Sequence, residues 1–153
     1  MSPADLLAAL RARGETLAVA ESLTGGLLAA TIVDVPGASR VFRGGLVVYA
    51  TELKATLAGV PADLLAERGP VDPDVAAHLA RGARELCGAS WGLSTTGVAG
   101  PEPQGGAAVG TAYVAVAGPQ GSRTRKLHLD GDRTAIRAGT VAAALELLAA
   151  EMG

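Results

Sequence analysis

Thr16-Leu17-Ala18-Val19-Ala20-Glu21-Ser22-Leu23-Thr24-Gly25-Gly26 decides the reading of this chain. Its first five residues form a short, mostly apolar run of the kind that fills a buried strand, and the run ends abruptly in polar residues and paired glycines. Leu27 to Val33 then reads as a helix stopped by Pro36-Gly37. A buried strand that turns through glycines into a helix is the repeating unit of an open α/β sheet.

The same alternation extends in both directions. Upstream, Ser2, Pro3 and Asp5 mark a helix start, with Leu6, Leu7 and Leu10 on one face and Gly14 as the stop. Downstream, Gly45 to Ala50 reads as a second strand, and Thr51 caps a short helix that carries Lys54 and ends near Gly59. A further helical stretch begins at Pro61. Asp72-Pro73 opens another helix, on which Val75, Leu79, Ala83 and Leu86 keep the spacing of a buried stripe up to Gly88.

Trp91 to Thr95 is the third strand, running into Thr96-Gly97-Val98-Ala99-Gly100-Pro101 and a glycine-rich loop. Val109 to Val116 and Ser122 to Leu129 are two strands joined by a hairpin turn at Gly118-Pro119-Gln120-Gly121, the second with the mixed character of a half-exposed edge. Asp132 caps a final helix through Leu148. The expected fold is therefore a three-layer α/β/α domain with a mixed sheet and a late antiparallel hairpin. One domain occupies residues 1–153, as the length of 153 residues allows.

Composition removes several classes of function. The hydrophobic fraction is 49% and the mean hydropathy is +0.33, yet no apolar run approaches the roughly 18 residues of a membrane span. A net charge of -2 and four aromatic residues argue against binding to nucleic acid. The N-terminus lacks the pattern of a signal peptide, and the single Cys87 cannot form an internal disulfide, so a cytoplasmic setting is expected. No glycine loop ends in Gly-Lys-Ser/Thr and no dinucleotide fingerprint is present, which disfavours a kinase or a dehydrogenase. His78 and His128 have no ligand-spaced partners, so no metal is expected, and Cys87 reads as a small packed side chain.

Chemistry in such a sheet collects at the carboxyl ends of the strands. Ser22 and Thr24 follow the first strand, Tyr49 and Lys54 the second, and Thr95, Thr96 and Gly97 close the third. Only Lys54 and Lys126 among the 13 basic residues are lysines, and a lysine desolvated in a pocket can act as a base where an arginine cannot. Ser22 is thus a candidate nucleophile, with its proton taken by Lys54 or by a Tyr49 held by that lysine. Gly25 and Gly26 are candidate backbone donors to an oxyanion. A plainer account makes Ser22 and Thr24 the caps of the following helix and Tyr49 a strand-end residue with a wet hydroxyl.

Four pieces taken together resemble the CinA C-terminal domain family. They are Ala20-Glu21-Ser22-Leu23-Thr24-Gly25-Gly26, Tyr49 with Lys54 five residues on, Thr96-Gly97-Val98-Ala99-Gly100-Pro101, and Gly131-Asp132-Arg133 with Arg137. The resemblance runs from about residue 3 to 150. It implies a nicotinamide mononucleotide amidase of pyridine nucleotide recycling, without metal or organic cofactor, in which Ser22 attacks the carboxamide and Tyr49 and Lys54 handle its proton. It also implies a pocket lined by Ser39 and Thr96, with Arg133, Arg137 and the backbone from Gly97 to Gly100 near the substrate's phosphate and Glu21 offsetting the charge of its ring. Family relatives self-associate, so a homo-oligomer is expected.

The chain departs from the family pattern after Pro101. There it has Glu102-Pro103-Gln104-Gly105-Gly106-Ala107-Ala108-Val109-Gly110, where relatives usually carry a longer loop ending in Lys-Pro-Val-Gly. The rival readings are a non-catalytic module that binds a nucleotide or a partner through the same pocket, and a hydrolase acting on another amide.

Overall fold

The computed structural model describes residues 1–153, and three of its helices begin where short polar side chains take up the free N–H groups of a first turn. Ser2 Oγ accepts from Asp5 N (3.1 Å) while Asp5 Oδ2 accepts from Ser2 N (3.0 Å), a reciprocal cap that starts α1 (Pro3–Ala12). Asp72 Oδ1 accepts from Asp74 N (2.8 Å) at the head of α5 (Pro73–Leu86), and Asp132 Oδ1 accepts from Ala135 N (2.9 Å) at the head of α6 (Arg133–Met152). Between them lie α2 (Leu27–Val33), α3 (Thr51–Thr56) and α4 (Ala62–Arg68).

The strands are β1 (Leu17–Glu21), β2 (Phe42–Val47), β3 (Trp91–Gly97), β4 (Thr111–Gly118) and β5 (Gly121–His128), in the spatial order β2-β1-β3-β4-β5. The first three are parallel, and β4 and β5 run antiparallel, so the sheet is mixed and ends in a hairpin as expected. From β1 the chain crosses to β2 through α2, then returns through α3, α4 and α5 to β3 on the opposite side of β1. The two departures leave a crevice beyond the carboxyl ends of β1 and β3.

Alternation along β1 sorts the core into two halves. Leu17 and Val19 join Leu6, Leu10, Leu28, Ile32 and Leu148 on the face covered by α1, α2 and α6. Ala18 and Ala20 join Val75, Leu79 and Ala83 on the face covered by α5, where small side chains let helix and sheet lie close. No helix is long and apolar enough to cross a membrane.

Several boundaries differ from the sequence reading. The apolar run Leu46–Tyr49 places β2 about three residues late, because the pairing segment is the less apolar Phe42–Val47, with Phe42 opposite Leu17 and Val47 opposite Glu21. As an edge strand it needs only one buried neighbour. Thr51 is the first residue of α3 and makes no capping bond, the cap position falling on Ala50. β4 begins at Thr111 and runs to Gly118, which pairs directly with Gly121 and leaves only Pro119-Gln120 at the turn. A 3-10 turn at Ala38–Arg40 lies between α2 and β2, where the sequence reading has no element, and α6 continues one turn past Leu148 to bury Met152. Leu86 leaves the predicted stripe and is 61% exposed, lining a surface cavity with Ala55, Leu57 and Gly82. Cys87 packs, partly buried, against the core beneath α5.

Candidate functional site

The alternation of β1 continues past its end and separates two neighbours. Glu21 follows Leu17 and Val19 to the α2 face, whereas Ser22 follows Ala18 and Ala20 to the α5 face. Ser22 N donates to Thr95 O (3.1 Å), and because Glu21 sits opposite Thr95, Ser22 comes level with Thr96. Gly25 N donates to Ser22 O (3.0 Å), and φ values of +57° and +106° at Gly25 and Gly26 swing the chain into α2. Any other residue would be strained in that turn.

Lys54, one turn into α3, is 1% exposed and reaches across the strand ends to Ser22. Its Nζ lies 2.9 Å from Ser22 Oγ, 2.7 Å from Val48 O and 3.4 Å from Tyr49 O. No carboxylate forms an ion pair with it. Burial therefore lowers its pKa from 10.5 to about 8, against a small opposing pull from Glu52. A neutral amine has two N–H groups and one lone pair. With the N–H groups given to the two carbonyls, the lone pair is left for the hydroxyl of Ser22.

On the opposite face, Glu21 is fully buried and both of its oxygens are used. Oε1 accepts from Thr24 Oγ1 (2.6 Å) and Leu28 N (2.8 Å), and Oε2 accepts from Ala29 N (3.1 Å). Glu21 thus caps α2 from the strand, and Ser22 and Thr24 do not. Thr24 Oγ1 gives its proton to Glu21, so the 2.8 Å contact with Thr95 Oγ1 has Thr95 as donor. Arg137 donates to Leu23 O (3.0 Å) and Thr24 O (2.7 Å), pinning the turn from α6.

An open cavity of about 500 Å³ lies over Ser22 and Lys54. Leu23, Tyr49, Thr51, Pro70, Thr96 and Arg133 line it, together with the loop from Gly97 to Gln104. At its floor Thr96 Oγ1 donates to Pro70 O (2.6 Å). At its mouth Arg133 donates to Gly100 O (2.6 Å) and to Tyr49 Oη (3.0 Å). The loop closes with a tight hairpin, Gln104 and Ala107 exchanging both backbone hydrogen bonds. No three His, Cys, Asp or Glu side chains gather as a metal-binding group.

The structure brings Ser22, Lys54, Tyr49, Thr96, Gly97, Gly100 and Arg133 to one cavity and sends the other candidates elsewhere. Glu21 and Thr24 are absorbed in capping α2, Arg137 in holding the turn, and the Gly25 N–H in closing it; neither Gly25 nor Gly26 lines the cavity. Ser39 is exposed on the 3-10 turn that precedes β2, at the amino end of the sheet. It cannot line this cavity, which lies beyond the carboxyl ends. Tyr49 contributes its carbonyl to Lys54, while its phenol accepts from Arg133 and makes no hydrogen bond to Ser22 or Lys54. Sequence reasoning passed over Thr51, Pro70 and Glu102. The signal for the first two was position, at the head of α3 and two residues before the Asp72 cap.

A doubly wound α/β sheet with a buried serine–lysine pair at its switch point is the class that fold and site define. The CinA C-terminal domain family model matches residues 2–152, and the chain belongs to that family. It is 54% identical over 143 residues to a CinA-like protein of Frankia casuarinae, and 49% identical over 141 residues to one of Geobacter sulfurreducens. These alignments cover 94% and 90% of this chain but only 33% and 34% of the relatives, so the chain spans about a third of the curated relatives it matches. The fold is also that of the competence/damage inducible protein CihA from Agrobacterium tumefaciens, with a TM-score of 0.93, 31% identity, and 97% and 92% of the two chains covered. A CinA superfamily protein from Escherichia coli gives a TM-score of 0.93 at 30% identity, covering 96% of this chain and 86% of its own.

Proposed function

We propose that the chain is an amidohydrolase that releases ammonia from the carboxamide of nicotinamide mononucleotide, leaving nicotinate mononucleotide. The observation that carries this reading is the 2.9 Å contact between Ser22 Oγ and a Lys54 Nζ that burial leaves with a pKa of about 8. A serine hydroxyl is a weak nucleophile until a neighbouring base removes its proton, and this lysine is neutral in a useful fraction of molecules near neutral pH.

Lys54 takes the proton as Ser22 Oγ bonds to the amide carbon, and the carbonyl oxygen gathers the negative charge. Leu23, which lines the cavity directly after the nucleophile, has an N–H with no acceptor in the protein and is a free backbone donor for that oxygen. The C–N bond then breaks, Lys54 returns its proton to the leaving nitrogen, and ammonia departs. Water deprotonated by the same amine attacks the acyl-serine, restoring Ser22 and giving the acid. No step calls for a metal or an organic cofactor.

The cavity, at about 500 Å³, suits a mononucleotide. Arg133 at the mouth offers a guanidinium to a phosphate. Glu102, exposed on the departing loop and without an ion-pair partner, supplies the carboxylate near a cationic ring that Glu21 cannot. Incubation of the purified chain with nicotinamide mononucleotide should yield one ammonia per nicotinate mononucleotide, and Ser22→Ala should yield none. Tight binding with no ammonia from the unaltered chain would replace this reading with that of a binding module.

A further inference from the structure

We propose that Thr96 is the residue by which the cavity tells a carboxamide from the carboxylate it becomes. The assignment rests on the amidase reading and adds to it the group that reads the substrate's nitrogen.

The placement follows from sheet register. Glu21 and Thr95 are opposite one another in the parallel pair β1–β3, so the next residues, Ser22 and Thr96, are neighbours across the strands. Strand alternation puts both on the α5 face: Ser94, two residues before Thr96, donates its hydroxyl to Ala76 O of α5, while Thr95 bonds the other way to Thr24. Neighbouring strands are about 5 Å apart. An amide whose carbon lies on Ser22 Oγ therefore has one of its two heteroatoms beside Thr96, and both side chains line the same cavity.

A hydroxyl in general serves as donor and acceptor alike, which would make it blind to the difference between a carboxamide nitrogen and a carboxylate oxygen. Thr96 has lost that freedom. Its single O–H is given to Pro70 O at 2.6 Å, and a carbonyl oxygen can only accept. Toward the cavity the oxygen of Thr96 can present lone pairs alone. It can accept from the N–H of a carboxamide, and it sets lone pair against lone pair when the same position holds a carboxylate oxygen.

This opposes another force in the site. Once the acid product ionises and gives its proton to Lys54, an ammonium faces a carboxylate, so without a repulsive contact the product would be held more firmly than the substrate. Thr96 supplies that contact on the side away from Lys54. Ser94 offers an internal comparison, being a hydroxyl on the same strand and face, committed in the same way to a carbonyl but fully buried and outside the cavity.

The test uses the full chain carrying Ser22→Ala, so that neither ligand is turned over, with binding of nicotinamide mononucleotide and of nicotinate mononucleotide measured by calorimetry. Adding Thr96→Val, which keeps the shape and removes the oxygen, should weaken the amide about tenfold while leaving the acid unchanged or tighter. Thr96→Ser should restore the preference. In the otherwise unaltered enzyme, Thr96→Val should raise KM for the amide and leave inhibition by the acid unchanged or stronger. Equal weakening of both ligands, or an undiminished preference for the amide, would overturn the assignment and leave Thr96 as a strut for Pro70. Ammonia release by the unaltered chain is measured alongside; if none appears and neither ligand binds, the amidase reading itself fails, and this assignment with it.

Discussion

Glu21 and Ser22 are adjacent in the chain and face opposite sides of the sheet, and each side buries one ionisable group by different means. On the α2 side, the Glu21 carboxylate accepts three hydrogen bonds, from Thr24 Oγ1, Leu28 N and Ala29 N, so both of its oxygens are occupied and the head of α2 is capped. On the α5 side, Lys54 meets only neutral oxygens, and burial lowers its pKa to about 8. A satisfied group becomes scaffold, whereas a group deprived of its counter-charge is left with a proton to give away. The turn through Gly25 and Gly26 belongs to the first side, and the cavity belongs to the second.

The contrast is tested hardest by removing one member from each side. Ser22→Ala and Lys54→Met should each cut kcat/KM for ammonia release by at least about a thousandfold while the chain stays folded. Glu21→Gln should act in the opposite sense. Its amide –NH2 must confront either the N–H groups of α2 or the hydroxyl of Thr24, with a loss of stability of about 2–3 kcal/mol in denaturant titration. If Glu21→Gln abolished activity with unchanged stability, the division between scaffold and site would be wrong.

The pH dependence of the two sides separates them further. Activity that needs neutral Lys54 should rise about tenfold per pH unit up to about 8 and level off above it. Stability carries the same signature. The folded pKa lies below the unfolded value of 10.5, so between about 8 and 10.5 the unfolded chain binds more protons, and stability rises with pH across that window. The burden of burying the charge at pH 7 is about 3 kcal/mol. The stability of Lys54→Met relative to the unaltered chain should therefore be most favourable at pH 7 and fall by about 3 kcal/mol toward pH 10.5, the two carbonyls it leaves unpaired adding an offset that does not vary with pH. A flat difference across the window would show that Lys54 titrates normally.

How far the sequence foretold this arrangement depends on the kind of signal. Caps at Ser2, Asp72 and Asp132, and the apolar strands β1 and β3, are local events, and they were legible with their ends nearly in place. The Ser22–Lys54 pair was legible because two strand ends and a rare lysine converge on one crest. The face of each residue was harder. The resemblance puts Glu21 by the substrate and position after the first strand suggests Thr24, yet period-two alternation sends Glu21 to the α2 side, and this could have been read from Leu17 and Val19. The role of Arg137 depends on carbonyls 114 and 113 positions away, and that of Tyr49 on a guanidinium 84 positions away; no local pattern encodes such pairings. Ser39 failed because a resemblance assigned it to the pocket, and in this chain the 3-10 turn holds it at the other end of the sheet.

Tyr49 gives the finest test of where the boundary of the site runs. If Ser22 passes its proton to Lys54 alone, the phenol matters only through its 3.0 Å bond to Arg133 at the mouth. Tyr49 is 60% exposed, and losing such a bond costs about 0.5–1 kcal/mol. Tyr49→Phe should then raise KM by about threefold, leave kcat nearly unchanged, and leave the pH midpoint near that of the parent. A phenol that relays the proton would instead behave as Ser22→Ala does, with kcat collapsing and the pH profile losing its limb. Steady-state kinetics at three pH values tells these outcomes apart, because the carbonyl by which Tyr49 holds Lys54 is the same in the parent and in Tyr49→Phe and only the phenol oxygen is removed.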